Sequence, residues 1–178
     1  MNRKFLINIH LYLSAFFLPF LLLMPLTGFL YLLGEKGEAT RELVYSINET
    51  MPVEVEEQKA WIQENLDRFD STYTYESIRS GNKTHILRPS HKPYYNLIET
   101  DEGVDFYKVS PNFLQSMVEL HKGHGPQVVR KLQTVFGLGL LIVVISGVCL
   151  ALTVAPYRKK TFIGLALGLI VFFGTFWL

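Results

Sequence analysis

The stretch FLINIHLYLSAFFLPFLLLMPLTGFLYLL, residues 5–33, decides the class of this chain. It runs for 29 residues without a formal charge. About 20 apolar residues at ~1.5 Å each cross a bilayer core about 30 Å thick, so the run is long enough to span. A secretory leader is the competing reading, and Asn2-Arg3-Lys4 ahead of the run fits one. A leader's apolar segment, however, covers only ~7–15 residues and ends in small side chains. This one continues through Met24-Pro25-Leu26-Thr27-Gly28 to Leu33, so a retained anchor is expected. Two further uncharged runs, 24 residues at 132–155 and 18 at 161–178, complete three candidate transmembrane helices. A soluble globular protein is ruled out, and so is a disordered chain.

The 178 residues carry a net charge of +1, and that near-neutral sum hides a segregation. All 16 acidic residues fall between Glu35 and Glu119, together with 10 basic ones up to Lys122, which leaves that stretch about six charges negative. The remaining cations, Arg3, Lys4, Arg130, Lys131, Arg158, Lys159 and Lys160, flank the apolar runs. No basic surface is left for nucleic acid, so no nucleic-acid partner is expected. The positive-inside rule places the N-terminus and the 158–160 turn in the cytoplasm, against the weaker vote of Arg130 and Lys131. The expected organisation is transmembrane helix 1 in 1–34 and an outer domain in 35–125. Helix 2 follows in 126–157, then a cytoplasmic turn and helix 3 in 158–178, with the C-terminus outside. Cys149, the single cysteine, lies within the second run and excludes an intrachain disulfide or a C-x-x-C-H haem attachment.

The outer segment reads as a small α+β domain. Val55, Trp61, Ile62, Leu66 and Phe69 keep helical spacing over 53–69, with Glu54, Glu56 and Glu57 favouring the N-terminal dipole. Strand-like runs follow at 72–79 and 84–88 around Gly81-Asn82, then at 94–100 and 104–109 around Asp101-Glu102-Gly103. A short helix is expected over 111–120, and Pro126 suits the first position of helix 2.

Histidines carry the candidate chemistry. His10 lies about two turns into helix 1, where an ionisable side chain is costly and points to function; interhelical hydrogen bonding is the plainer role. His121 and His124 stand at the outer mouth of helix 2, as metal ligands or as solvated loop residues. His85 and His91 read as surface histidines of the outer domain. His10, Ser14, Phe17, Leu21 and Gly28 share one face of a helix. His121, Leu132, Gly139 and Ser146 share another if the helix persists through the Gly-Pro break. Small residues in line with a histidine leave room for a flat macrocycle or for close helix approach. Arg130 and Lys131 suit lipid headgroups or the acidic groups of a bound ligand.

His10 with Leu26-Thr27-Gly28, and Leu120-His121-Lys122-Gly123 followed by Gly125, Arg130, Ser146-Gly147 and Arg158-Lys159-Lys160, resemble the PepSY-associated transmembrane family. The resemblance covers nearly the whole chain. It implies an integral membrane α-helical protein of three transmembrane helices, with a small α+β PepSY-like outer domain between helices 1 and 2. The family's larger members are b-type haem proteins of the bacterial inner membrane, several of which reduce ferric siderophores. The resemblance extends to a small inner-membrane protein that reduces iron to assist ferrous uptake. It implies haem b as cofactor and His10 and His121 as ligands, with His124 as an alternative outer ligand. The family's usual architecture has at least a fourth helix with more histidines.

His10 and His121 should stand ~20–30 Å apart if helix 1 spans the layer, too far for one haem within a chain. His121 and His124 are too close in sequence to clamp opposite faces of one ring. Bis-histidine ligation on the inner side therefore calls for a homodimer, with Gly164-x-x-x-Gly168 as a candidate surface. Without a nucleotide or flavin fingerprint, the expected electron donor is a quinol or a partner reductase. The acceptor is ferric iron or a ferric chelate, and a ferrous transporter is a possible partner. The alternative is a non-enzymatic PepSY-domain regulator or accessory subunit.

Overall fold

A computed structural model describes residues 3–177. Three helices are long and apolar enough to cross a membrane: α1 (Arg3–Leu32), α4 (Gln127–Thr153), and α5 (Ala155–Gly174) with its single-turn extension Thr175–Trp177. Between α1 and α4 in the chain lie β1 (Ala39–Ile47), α2 (Val55–Asp67), β2 (Ser77–Gly81), β3 (Thr84–Arg88), β4 (Tyr94–Glu99), β5 (Val104–Pro111) and α3 (Phe113–His121). The chain divides into two compact units, Met24–Gln133 and the remainder.

In the Met24–Gln133 unit, the five strands form one antiparallel sheet in the order β1-β5-β4-β3-β2. Apolar side chains at alternate positions face one side: Leu87 on β3, Tyr95 and Leu97 on β4, Val104 and Phe106 on β5. They pack with Ile62 and Leu66 of α2 into the core. Trp61, Phe69 and Tyr45 close its edge through ring contacts with Phe106. α2 is shorter than the apolar spacing predicts, because Glu54 already has extended backbone as its N-cap.

β1 has no counterpart among the expected strands. A register irregularity between Leu43 and Tyr45 interrupts the two-residue alternation that would reveal it, and most of the strand is exposed. The run expected as a strand over 72–79 pairs only from Ser77 onward, while Tyr73 and Tyr75 before it pack against the core. Gly37, at φ +75°, lies so close to α3 that any side chain would collide with the Gln115 backbone, which fixes how the chain leaves α1.

The Asn112 side chain accepts from Gln115 N–H (2.9 Å) and so caps the start of α3. Its end is set by Lys122 as C-cap and Gly123 at φ +73°. A helix running from His121 through Pro126 is thereby corrected: α3 stops at His121 and α4 starts at Gln127, so His121 is not on the helix that carries Gly139 and Ser146.

In the other unit, α1 and α4 pack closely. A side chain at Gly139 would occupy the ring of Phe17, and the Phe20 and Phe136 rings stack 3.5 Å apart. The break between α4 and α5 falls at Val154, whose backbone is extended. Arg158-Lys159-Lys160, expected as the turn itself, lies in the first turns of α5 instead. Pro156 explains the shift, since a residue without an N–H suits a helix start. Arg158 Nε donates to the Leu152 carbonyl (2.8 Å), satisfying one of the unpaired acceptors at the end of α4.

Candidate functional site

Two imidazoles are held by the same local device. His10 Nδ1 lies 2.9 Å from Ser146 Oγ and 3.1 Å from the Val143 carbonyl, while the Ser146 hydroxyl donates to that carbonyl at 2.9 Å. A carbonyl only accepts, so Nδ1 of the His10 ring carries a proton, and in the neutral ring Nε2 is the nitrogen with the lone pair. Nε2 has no hydrogen-bond partner among the described residues. Gly147, next to Ser146, leaves the ring edge room: a Cβ there would stand 3.1 Å from His10 Cε1.

His121, on the last turn of α3, repeats the pattern. Its Nδ1 lies 2.7 Å from Thr27 Oγ1, and the buried Thr27 hydroxyl donates to the Met24 carbonyl at 3.0 Å. With the hydroxyl proton engaged there, Thr27 accepts from Nδ1–H, and Nε2 is again the unprotonated nitrogen. Gly28 follows Thr27 as Gly147 follows Ser146, and a Cβ at Gly28 would lie 3.6 Å from His121 Cε1. In both places a hydroxyl residue bonds to the carbonyl three positions before it, accepts from Nδ1–H, and is followed by a glycine at the ring edge.

Each imidazole borders a cavity. The one beside His10 has a volume of about 430 Å³ and a largely apolar wall that includes Leu11, Ser14, Leu18 and Leu150. Ser14 Oγ is buried and makes no hydrogen bond among the described residues. The cavity beside His121 measures about 290 Å³ and is lined by Thr27, Gly28, Tyr31, Val118 and Lys122.

The other sequence-selected residues separate from this pair. His124 Nδ1 is bound to Glu119 (2.8 Å), the centre of a cluster that also takes Arg88 (3.0 Å), Ser90 (2.6 Å) and Lys122 (2.8 Å). Burial alone would push the Glu119 carboxyl up, but bonds from Lys122, Ser90 and His124 outweigh it and hold the group down at about 2. Burial lowers the His124 imidazole below its ordinary value even though Glu119 pulls it upward. His124 therefore ties the loop after α3 to the sheet, where Ser90 N–H also donates to the His124 carbonyl (3.1 Å).

His85, expected at the surface, is instead buried. Ser80 (2.9 Å) and Glu99 (2.6 Å) engage its two nitrogens, so it offers no free ligand atom. His91 is half-buried. Arg130 lines a third, polar cavity together with His124, and Lys131 is exposed. The cation bordering the His121 cavity is Lys122, which the sequence reading passes over. Ser146 stands in the sequence as a small residue on a helix face and Thr27 as part of Leu26-Thr27-Gly28; their role as imidazole acceptors emerges only with the fold.

Single imidazoles with a tethered Nδ1 and a free Nε2 suit a metal centre that supplies its other donors itself. A second partner on the distal ring nitrogen orients the ring and raises the basicity of the ligand atom. No three His, Cys, Asp or Glu side chains gather as a metal cage among the described residues.

The three apolar helices with a five-stranded sheet domain define an integral membrane protein. The chain belongs to the family described as the PepSY-associated TM region, whose model matches residues 1–153. Neither the curated proteins nor the solved structures yield a match.

Proposed function

We propose that this chain is a b-type haem protein of the bacterial inner membrane that passes electrons outward to ferric iron or a ferric chelate and so assists ferrous uptake. The observation that carries the reading is the repeated imidazole cradle. His10 and His121 each present an unprotonated Nε2 beside a cavity, with Nδ1–H given to a hydroxyl and a glycine at Cε1. When bound, haem would supply one-electron redox chemistry. The residues' own work is to hold the ring tautomer, orient Nε2 and, at His10, keep the surroundings apolar. At His121 the neighbouring cation is Lys122, a suitable partner for a propionate.

In this reading residues 35–125 form a PepSY-like periplasmic domain between the first two spans. The N-terminus and the basic cluster of α5 are cytoplasmic, and the C-terminus is periplasmic. Electrons come from a quinol or a partner reductase. His10 of this chain and His10 of a second copy would hold the group together in a homodimer. Gly164 and Gly168 on α5, with open space where a Cβ would stand, offer a surface for close approach.

The test is an absorption spectrum of the purified protein, oxidised and dithionite-reduced, with the haem-to-protein ratio. Reducible b-haem bands, partly lost in His10→Ala and in His121→Ala, are expected. A colourless protein from haem-sufficient cells overturns the reading. Loss of haem with iron uptake intact would favour the regulator or accessory-subunit alternative instead.

A further inference from the structure

The cavity that holds His124 and Arg130 has a volume of about 310 Å³, and four cationic side chains line it from separate elements. Arg79 comes from β2, Arg88 from β3, Lys122 from the end of α3 and Arg130 from the first turn of α4. Two carboxylates answer them. Glu119 pairs with Arg88 and Lys122, and Glu76, on the wall, accepts from Gln127 N–H at 2.8 Å. The lining therefore keeps a positive surplus inside a segment that is negative as a whole, so composition alone does not produce it. The Arg79 side chain is exposed and makes no ion pair or hydrogen bond among the described residues. Gly125, buried in the wall, has an amide N–H without an acceptor among the described residues.

We infer that this cavity is a binding site for a phosphate group, with Arg79 as its principal unshared cation and Lys122 and Arg130 beside it. Cations arriving from several directions suit a tetrahedral oxyanion better than a planar carboxylate met from one side. The group has two possible sources. It is either a soluble phosphate compound or the headgroup of an anionic lipid, since Arg130 stands at the start of a candidate span. This inference shares Lys122 with the haem reading but invokes neither His10 nor His121 as a ligand, and its principal cation, Arg79, has no part in that reading.

The experiment uses the full chain purified in detergent. One arm titrates inorganic phosphate calorimetrically. The other measures retention of phosphatidylglycerol against phosphatidylcholine by native mass spectrometry. Arg79→Glu is expected to weaken binding at least about tenfold, by placing a like charge at the anion, and Arg79→Lys to retain most of it. Lys59→Glu, an equal charge change on α2 away from the cavity, should leave it unaltered. Binding in the first arm identifies a soluble ligand, and binding in the second alone identifies a headgroup. Absence of binding in both arms, or equal losses in Arg79→Glu and Lys59→Glu, overturns the site.

Discussion

At the scale of single residues, the two cradles differ in how tightly the glycine fits, and that difference is testable. A methyl group at Gly147 would stand 3.1 Å from His10 Cε1, closer than ordinary contact, whereas one at Gly28 would stand 3.6 Å from His121 Cε1. If haem is held at these sites as proposed, Gly147→Ala should therefore lower haem content at His10, while Gly28→Ala should leave content at His121 unchanged; reduced-minus-oxidised spectra of each variant check this. Removing the hydroxyl acceptors should act on both. Ser146→Ala and Thr27→Val are each expected to weaken haem retention roughly 10–100-fold, the usual cost of losing a ligand's outer partner. Dissociation measured by transfer to apomyoglobin would show it. Glu119 belongs to a different function, that of anchoring. Glu119→Gln should cost about 2–4 kcal/mol by thermal unfolding in detergent, because it strips buried Arg88 of its counter-charge and half-buried His124 of its carboxylate acceptor.

The same cluster sets an acid dependence. The folded carboxyl is depressed, so its stabilisation is complete above the unfolded value near 4.5 and disappears as pH falls toward about 2. The depressed His124 adds a loss that begins earlier, as pH falls through the ordinary histidine range, because unfolding frees the imidazole to protonate. The melting temperature should drop in both windows on acidification, and Glu119→Gln should flatten the lower one.

At the scale of elements, packing decides what each helix can do. Ile62 and Leu66 of α2 are fully buried against the sheet. Leu66→Ala is thus expected to destabilise the sheet domain by about 2–5 kcal/mol, read from the first transition in a denaturant titration followed by tryptophan fluorescence. Trp61, next to that core, makes the signal local. On α4, Gly139 admits the Phe17 ring of α1, and this closeness lets Ser146, two turns on, reach His10. The alternation of small residues along the second apolar run was visible in the sequence. Which face each would meet was not, because helical spacing alone does not select the neighbour. His121 illustrates the same limit: its spacing from Gly139 and Ser146 aligned only on a continuous helix, and Gly123 in the left-handed conformation ends α3 first.

At the scale of the whole molecule, three spans with basic flanks make a definite topological prediction. In a Cys149→Ser background, a cysteine replacing exposed Ser71 should react with a membrane-impermeant maleimide added to intact spheroplasts. One replacing Lys159 should react only after lysis, and the opposite pattern would invert the proposed orientation. The membrane class of the chain was readable without coordinates, because uninterrupted apolar length is a one-dimensional property that water and lipid sort directly. The helix and most strands of the sheet domain were readable for a similar reason, since their periods are local. The division of labour among the histidines depended on folding. His10 and His121 give Nδ1 to a hydroxyl and leave Nε2 without a partner among the described residues; His85 also meets a hydroxyl, that of Ser80, but its Nε2 is taken by Glu99, and His124 Nδ1 meets the Glu119 carboxylate. Those partners lie far away along the chain in all but the local His85 and His124 pairs. Hydrogen bonds of this kind are chosen by three-dimensional proximity, and proximity is what the linear order of residues does not contain.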